Sequence, residues 1–171
     1  MTWYALTVDA GLRDLRSADH LLHAWAAELP LAEVVFGCTH LVRDGRPRVA
    51  VSLTAREAES AQAVRDLLVA RGYAVTDGAP DSVGRAVLYP GADALRGTMT
   101  VERVLSASAI DAVTVLGAAP GPPDPATSLV TRDHVRPQWR DGRLVLTAMP
   151  AAGGALVPFE VPDPTPCCAD H

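Results

Sequence analysis

The residues best suited to chemistry in this 171-residue chain are its three cysteines, each of which has a histidine nearby. Cys38 precedes His40 by two residues, and the chain ends with Cys167, Cys168 and His171. Thiolate sulfur and imidazole nitrogen together suit Zn²⁺ and Cu(I). In a reducing cytoplasm, cysteine clusters indicate metal binding or catalysis more often than disulfides. The sequence therefore predicts a metal-binding protein that uses these five residues, with zinc as the first expected ion and copper(I) as the second.

The spacing of the five donors leaves several kinds of site open. Because strand side chains alternate between faces, Cys38 and His40 should share one face of a predicted strand. Alternate prolines over 162–166 favour an extended tail, which could fold back over the sheet. Four protein ligands would make the site structural, and three with an open position would make it catalytic. The alternatives are thiol chemistry, at Cys38 or at the Cys167–Cys168 pair, and an ordinary buried cysteine with a frayed tail.

A second candidate site lies in the polar and aromatic segment around Trp139. Arg136 and Arg140 could clamp a carboxylate or phosphate, with Trp139 as a stacking wall and His134 as a candidate general base. This segment predicts, as the main alternative function, a protein that binds a small anionic ligand or assists in biosynthesis. A charged hairpin face with Trp139 in the core is the competing interpretation. A third alternative is a protein-interaction module that presents the Pro-rich loop 118–125 and the tail.

Several enzyme classes are excluded by residues that the chain lacks. Its 15 basic residues are all arginine, so it can form neither a P-loop lysine contact nor a lysine Schiff base. The sequence contains no G-x-S-x-G motif, and no G-x-G-x-x-G motif follows a predicted strand. The net charge of −5 leaves no basic surface for nucleic acid, and no apolar run approaches the about 18 residues that span a membrane. We expect a soluble cytoplasmic protein, encoded by a bacterial genome of high GC content.

The elements that must position these residues follow a β-α-β-β-α-β order in the first half of the chain. Hydrophobic periodicity predicts a strand over 3–8, a helix over 18–29, strands over 34–42 and 48–54, a second helix over 55–71 and a final strand over 73–76. The two central strands should form a hairpin with a two-residue turn at Asp44-Gly45, in which both residues have positive φ. The second helix should begin at a capping box formed by Thr54 and Glu57.

The second half of the chain is less regular and richer in predicted strands. Strands are expected over 85–89, 110–116, 144–149 and 155–161, with a short helix over 100–108 and a second Asp-Gly turn at 141–142. We therefore predict an α+β protein with a ferredoxin-like half over 1–77, a β-rich half over 85–161 and a Pro-rich Cys/His tail over 162–171. The edge strands of such a sheet are compatible with a homodimer.

Overall fold

The structure is a computed structural model that describes residues 2–29, 31 and 34–162. It confirms the predicted α+β class. In chain order the elements are β1 (Tyr4–Leu12), α1 (Leu15–Glu28), β2 (Val34–Val42), β3 (Arg48–Ala55), α2 (Ala58–Ala70), β4 (Val75–Asp77), β5 (Gly84–Leu88), β6 (Thr98–Thr100), α3 (Val101–Ala107), β7 (Ala112–Val115), β8 (Ser128–Val130), β9 (Gln138–Arg140), β10 (Arg143–Pro150) and β11 (Leu156–Pro158). Within the described ranges, no helix combines the length and the apolar character needed to cross a membrane.

The chain forms two compact units. Of the described residues, unit 1 contains those up to Pro90 together with Gln138–Gly142, and unit 2 contains Gly91–Pro137 together with those from Arg143 onward. The strand order within unit 1 is β4-β1-β3-β2-β5-β9. All neighbouring strands in this sheet are antiparallel. A single sheet therefore provides two faces on which unit 1 can place side chains.

One face of the unit 1 sheet forms its hydrophobic core with α1 and α2. The helices contribute a stripe of buried residues at helical spacing, and the strands contribute alternate residues, because strand side chains alternate between faces. The core contains Leu6, Val8, Ala18, Leu22, Trp25, Leu29, Val49, Val51, Leu53, Ala55, Ala61, Val64, Leu68 and Val87. The residues that alternate with these along the strands, such as Ser52 between Val51 and Leu53, consequently lie on the opposite face.

An ion pair buried between α1 and β5 adds to this core. The Arg85 guanidinium donates to both carboxylate oxygens of Asp19, at 2.6 and 3.0 Å. Each of the two side chains is only 12% exposed. The same guanidinium donates to the Thr39 hydroxyl at 3.2 Å. Two parallel N–H···O bonds hold both the distance and the orientation of the partners, so this pair fixes β5 against the first helix.

The helices of unit 1 begin at different residues from those predicted. The N-cap of α1 is Asp14, whose carboxylate accepts the Ser17 backbone N–H at 2.7 Å; this bond lowers the pKa of the carboxyl group. The predicted capping box does not form, because Thr54 lies within β3 and Glu57 makes no side-chain cap bond. Thr54 pairs with strands on both sides, so sheet pairing overrides the local helix signal.

The turn between β2 and β3 is longer than predicted. Val42 pairs with Arg48, which leaves a loop over 43–47, and within this loop only Gly45 has positive φ, at 68°. Arg48 donates to the Asp44 carbonyl at 2.8 Å and to its carboxylate at 3.0 Å, which stabilises the longer connection. The prediction of a two-residue turn here is therefore wrong. At 141–142, by contrast, both residues have positive φ, at 50° and 75°, as an Asp-Gly turn requires.

Unit 2 contains a smaller mixed sheet. Strand β10 pairs with β7 in parallel and with β11 in antiparallel orientation, β11 pairs with β8 in parallel, and β8 pairs with β6 in antiparallel orientation. Its helix α3 begins after Thr100, whose hydroxyl accepts the Arg103 N–H at 3.2 Å. Val104, Leu129, Leu144 and Leu146 are almost completely buried in this unit.

Candidate functional site

The sheet face of unit 1 that lies opposite its helices contains a partly open cavity of about 160 Å³. Its walls are aromatic. The ring centroids of Phe36 and Trp139 lie 4.7 Å apart, and Trp3 packs edge-on against Phe36 at 5.7 Å and against Trp139 at 6.3 Å. The described residues that line it are Trp3, Ala5, Phe36, Cys38, His40, Ser52, Thr54, Ala79, Asp81, Ser82, Gly84 and Trp139.

Strand register brings the polar residues of this cavity together. Val51 and Leu53 face the core, so Ser52 between them faces the cavity. Cys38 of β2 pairs directly with Ser52, while His40 pairs with Ala50 and is therefore the diagonal neighbour of Ser52. Long side chains reach such diagonal neighbours across a sheet. The cavity thus has a polar floor provided by two adjacent strands.

Three of these residues form a chain of hydrogen bonds. The Nε2 atom of His40 lies 2.7 Å from the Ser52 hydroxyl oxygen, and its Nδ1 atom lies 3.0 Å from Oδ1 of Asp81. The imidazole is 2% exposed, whereas Asp81 is 48% exposed. The Val83 backbone N–H donates to the same Asp81 oxygen at 3.0 Å, which holds the carboxylate in place. A buried histidine therefore connects a serine hydroxyl to a carboxylate at the rim.

The partners of His40 determine the tautomer of its neutral ring. Nδ1 also lies 3.1 Å from the Val83 carbonyl oxygen, which can only accept a hydrogen bond. Nδ1 must therefore carry the proton. Nε2 of the neutral ring is then an acceptor, so the Ser52 hydroxyl donates to it. This is the arrangement that a general base needs in order to remove a proton from a hydroxyl group.

Cys38 lies beside this chain of hydrogen bonds but remains a buried thiol. Its side chain is almost completely buried, and burial raises its pKa from 9.0 to about 12. A thiol is a metal ligand or a nucleophile only as its thiolate. Cys38 therefore acts at neutral pH as a small apolar residue, packed with His40 against Gly84.

The predicted metal-binding function is contradicted by the structure. Among residues 2–29, 31 and 34–162, no group of three or more His, Cys, Asp or Glu residues could hold a metal ion. At the predicted pair in β2, both nitrogens of His40 already have hydrogen-bond partners. The remaining predicted ligands, Cys167, Cys168 and His171, lie outside the described residues.

The predicted anion site is not assembled in the cavity. Trp139 lines the cavity, but the lining contains no arginine. Arg140 is exposed and donates to the Gln138 side chain. Arg136 and His134 belong to unit 2, where Nε2 of His134 lies 3.0 Å from the Glu160 carboxylate. Trp139 is thus the one residue of this predicted set that lines the cavity.

Sequence reasoning missed Ser52, Asp81, Trp3 and Phe36. The strand alternation of β3 was visible, and it placed Ser52 on the face opposite Val51 and Leu53. The sequence did not show which side chains of the neighbouring strands share that face, because a one-residue change in the register of a strand moves all its side chains to the other face. Asp81 lies in a loop, where no periodicity exists to indicate its position.

Comparison with known proteins adds no functional assignment. No protein family matches the chain, and neither the curated proteins nor the solved structures give a match.

Proposed function

We propose that unit 1 binds a compact, uncharged molecule that combines a flat apolar body with a hydrogen-bonding group. The observation that carries this proposal is a cavity with aromatic walls and a polar floor formed by His40 and Ser52. Ligand sites are typically apolar clefts with a few convergent polar groups. The aromatic part of the ligand would lie between Trp3, Phe36 and Trp139, and its polar group would reach the floor.

The size of the cavity limits the ligand to a single ring or a molecule of similar bulk. Its volume of about 160 Å³ is close to that of an engineered apolar cavity, about 150 Å³, that binds benzene. Larger drug-like ligands occupy roughly 300 Å³ or more. The ligand that fits is therefore smaller than a nucleotide or a polycyclic cofactor.

The charge of the lining favours a neutral ligand over an anion. Asp81 lies at the rim, and no lysine or arginine is among the described residues that line the cavity. An anion would lose hydration and face the carboxylate without a compensating cation. This distinguishes the proposed ligand from the carboxylate or phosphate expected from the sequence.

Benzamide and benzoate test the proposal directly, because the two have nearly the same shape and differ in charge. Binding can be followed by tryptophan fluorescence, since two of the three tryptophans, Trp3 and Trp139, line the cavity. We expect benzamide to bind with a dissociation constant of about 0.1–1 mM, and benzoate to bind at least about tenfold more weakly. Equal affinity for the two, or no binding of benzamide, would contradict the proposal.

A variant that fills the cavity provides the matched control. Ala5 lies in β1 and lines the cavity, whereas Ala10 lies in the same strand and is exposed. Ala5→Leu should abolish benzamide binding because the larger side chain occupies the site, and Ala10→Leu should leave binding unchanged. Binding that survives Ala5→Leu would place the ligand elsewhere.

We further propose that the first four strands and two helices of unit 1 form a ferredoxin-like unit. The element order β1-α1-β2-β3-α2-β4 and the strand order β4-β1-β3-β2, antiparallel throughout, support this assignment. In this arrangement two helices cover one face of the sheet. The other face is left for function, and the cavity lies there.

A further inference from the structure

We propose that Ser52 is a nucleophile, activated by His40 and Asp81, that accepts the acyl group of a small uncharged aryl ester. The inference rests on the proposed binding cavity, because the ester must enter it to reach Ser52. The three residues have the roles and the order of contacts that define a serine nucleophile with its base and orienting carboxylate. The constellation is recognised by geometry, since such triads occur on unrelated folds and in different chain orders.

The hydrogen-bond directions support catalysis rather than burial alone. A buried histidine needs partners for both nitrogens, and many pairs of groups would satisfy that need. Here Val83 and Asp81 fix the proton on Nδ1, so that Nε2 faces the Ser52 hydroxyl as an acceptor at 2.7 Å. Ser52 also lines the cavity and is 3% exposed, so it is one of the residues that a bound ligand would contact.

The reaction proceeds through an acyl-enzyme. The Ser52 oxygen forms a bond to the ester carbonyl carbon while its proton moves to Nε2 of His40. The bond between that carbon and the aryloxy oxygen then breaks, and His40 returns the proton to the leaving phenol. Water, activated in turn by His40, attacks the acyl-serine, which releases the carboxylic acid and restores Ser52.

The position of Ser52 predicts that acylation is slow. Ser52 lies within β3, paired with Thr7 on one side and Cys38 on the other, so its own backbone N–H is held in the sheet. Thr54 and Ser82 line the cavity, and we assign to their hydroxyl groups the hydrogen bonds to the developing oxyanion. Covalent labelling is therefore a better first measurement than turnover.

The test uses p-nitrophenyl acetate with the full chain at neutral pH. We expect an acetyl group on Ser52, located by fragmenting the tryptic peptide Val49–Arg56, in which Ser52 and Thr54 are the only hydroxyl residues. Ser52→Ala should reduce labelling of this peptide at least about 100-fold. The matched control Ser60→Ala removes a serine of α2 that does not line the cavity, and it should leave labelling unchanged.

Asp81 is assigned a positioning role, acting through His40. Asp81→Asn should slow acetylation about 10- to 100-fold, and Asp81→Glu should recover part of the rate because it restores a carboxylate. If Asp81 had only a structural role, the two variants would be acetylated at the same rate whenever circular dichroism shows that both fold to the same extent. Equal rates in the two variants would therefore remove Asp81 from the proposal.

Benzamide binding to the same preparations separates the two proposals. Binding of benzamide together with acetylation of Ser52 supports both. Binding without acetylation of Ser52 in the wild-type protein, or acetylation only at other residues, overturns the nucleophile and leaves the cavity as a binding site. Absence of both overturns both. The wild-type labelling needs no substitution, so the proposal remains testable even where a variant fails to fold.

Discussion

The buried ion pair between Asp19 and Arg85 makes a quantitative prediction about unit 1. Removing one member of a buried ion pair takes the bidentate partner away from the other charge, and such a loss costs about 3–5 kcal/mol when burial is complete. Each side chain is 12% exposed, and Arg85 keeps its bond to the Thr39 hydroxyl. We therefore expect Asp19→Leu and Arg85→Met each to lower the free energy of unfolding by about 2–4 kcal/mol.

The double variant Asp19→Leu/Arg85→Met should cost much less than the sum of the two single changes. It removes both charges and leaves apolar side chains of similar length, an exchange that is often close to neutral. We expect a coupling energy of about 2–3 kcal/mol from the double-mutant cycle. Packing at the site changes in all three variants, but only the single variants keep one of the two charges without the other.

Urea unfolding followed by tryptophan fluorescence measures this cycle. All three tryptophans of the chain, Trp3, Trp25 and Trp139, belong to unit 1, so the signal reports the unit that contains the ion pair. Single-variant costs below about 1 kcal/mol that add in the double variant would show that the pair behaves like an exposed one. That result would refute the claim that it fixes β5 against α1.

Three further predictions concern stability. The pKa of the Cys38 thiol is raised to about 12, so the stability that the buried, protonated thiol contributes is fully present below about pH 9 and declines as the pH rises towards 12. The difference in unfolding free energy between wild type and Cys38→Ala should therefore fall by about 1.4 kcal/mol per pH unit above 9. A difference that stays constant with pH in urea unfolding titrations would contradict the raised pKa. Gly91→Ala should lower the free energy of unfolding by about 3 kcal/mol or more, because φ is +81° and the new Cβ would lie 2.1 Å from the Ala107 carbonyl oxygen. The control Gly117→Ala, with φ of +74° and open space around the new Cβ, should lower it by only about 1 kcal/mol. Thermal unfolding followed by circular dichroism compares the two variants, and equal losses of stability would exclude the steric contribution at Gly91. Gly84→Ala should destabilise the protein by about 1–3 kcal/mol and weaken benzamide binding, because the new Cβ would lie 2.9 Å from the Cβ of Cys38. Unchanged benzamide affinity, measured by fluorescence, would mean that the cavity floor accommodates the added methyl group.

The register of the β2–β3 hairpin shows why the site could not be derived from the sequence. A two-residue turn at Asp44-Gly45 would have paired Cys38 with Val51 and so placed the thiol on the core face. The observed loop over 43–47 pairs Cys38 with Ser52 instead. The difference is one residue of register, and it depends on bonds from Arg48 to Asp44 and Asp9. The contact with Asp44 is local, but the contact with Asp9 joins two distant strands, and no local pattern reveals it.

The helix boundaries illustrate the same competition. Thr54 and Glu57 have the spacing of a capping box, yet Thr54 lies in β3 because strands pair with it on both sides. Local propensity is a weak preference that tertiary pairing commonly overrides. The order of these elements was nevertheless predicted correctly, because it depends on hydrophobic periodicity over whole segments rather than on single terminal residues.

The sequence by itself determined the α+β class, the β-α-β-β-α-β order of the first six elements, and the face of β3 on which Ser52 lies. These follow from periodicity, which the chain carries locally. The tertiary structure alone decided that His40, Ser52 and Asp81 meet, that Trp3, Phe36 and Trp139 enclose a cavity above them, and that Cys38 stays protonated. Each of these depends on strand pairing between distant segments and on the burial that pairing creates, which no single segment specifies.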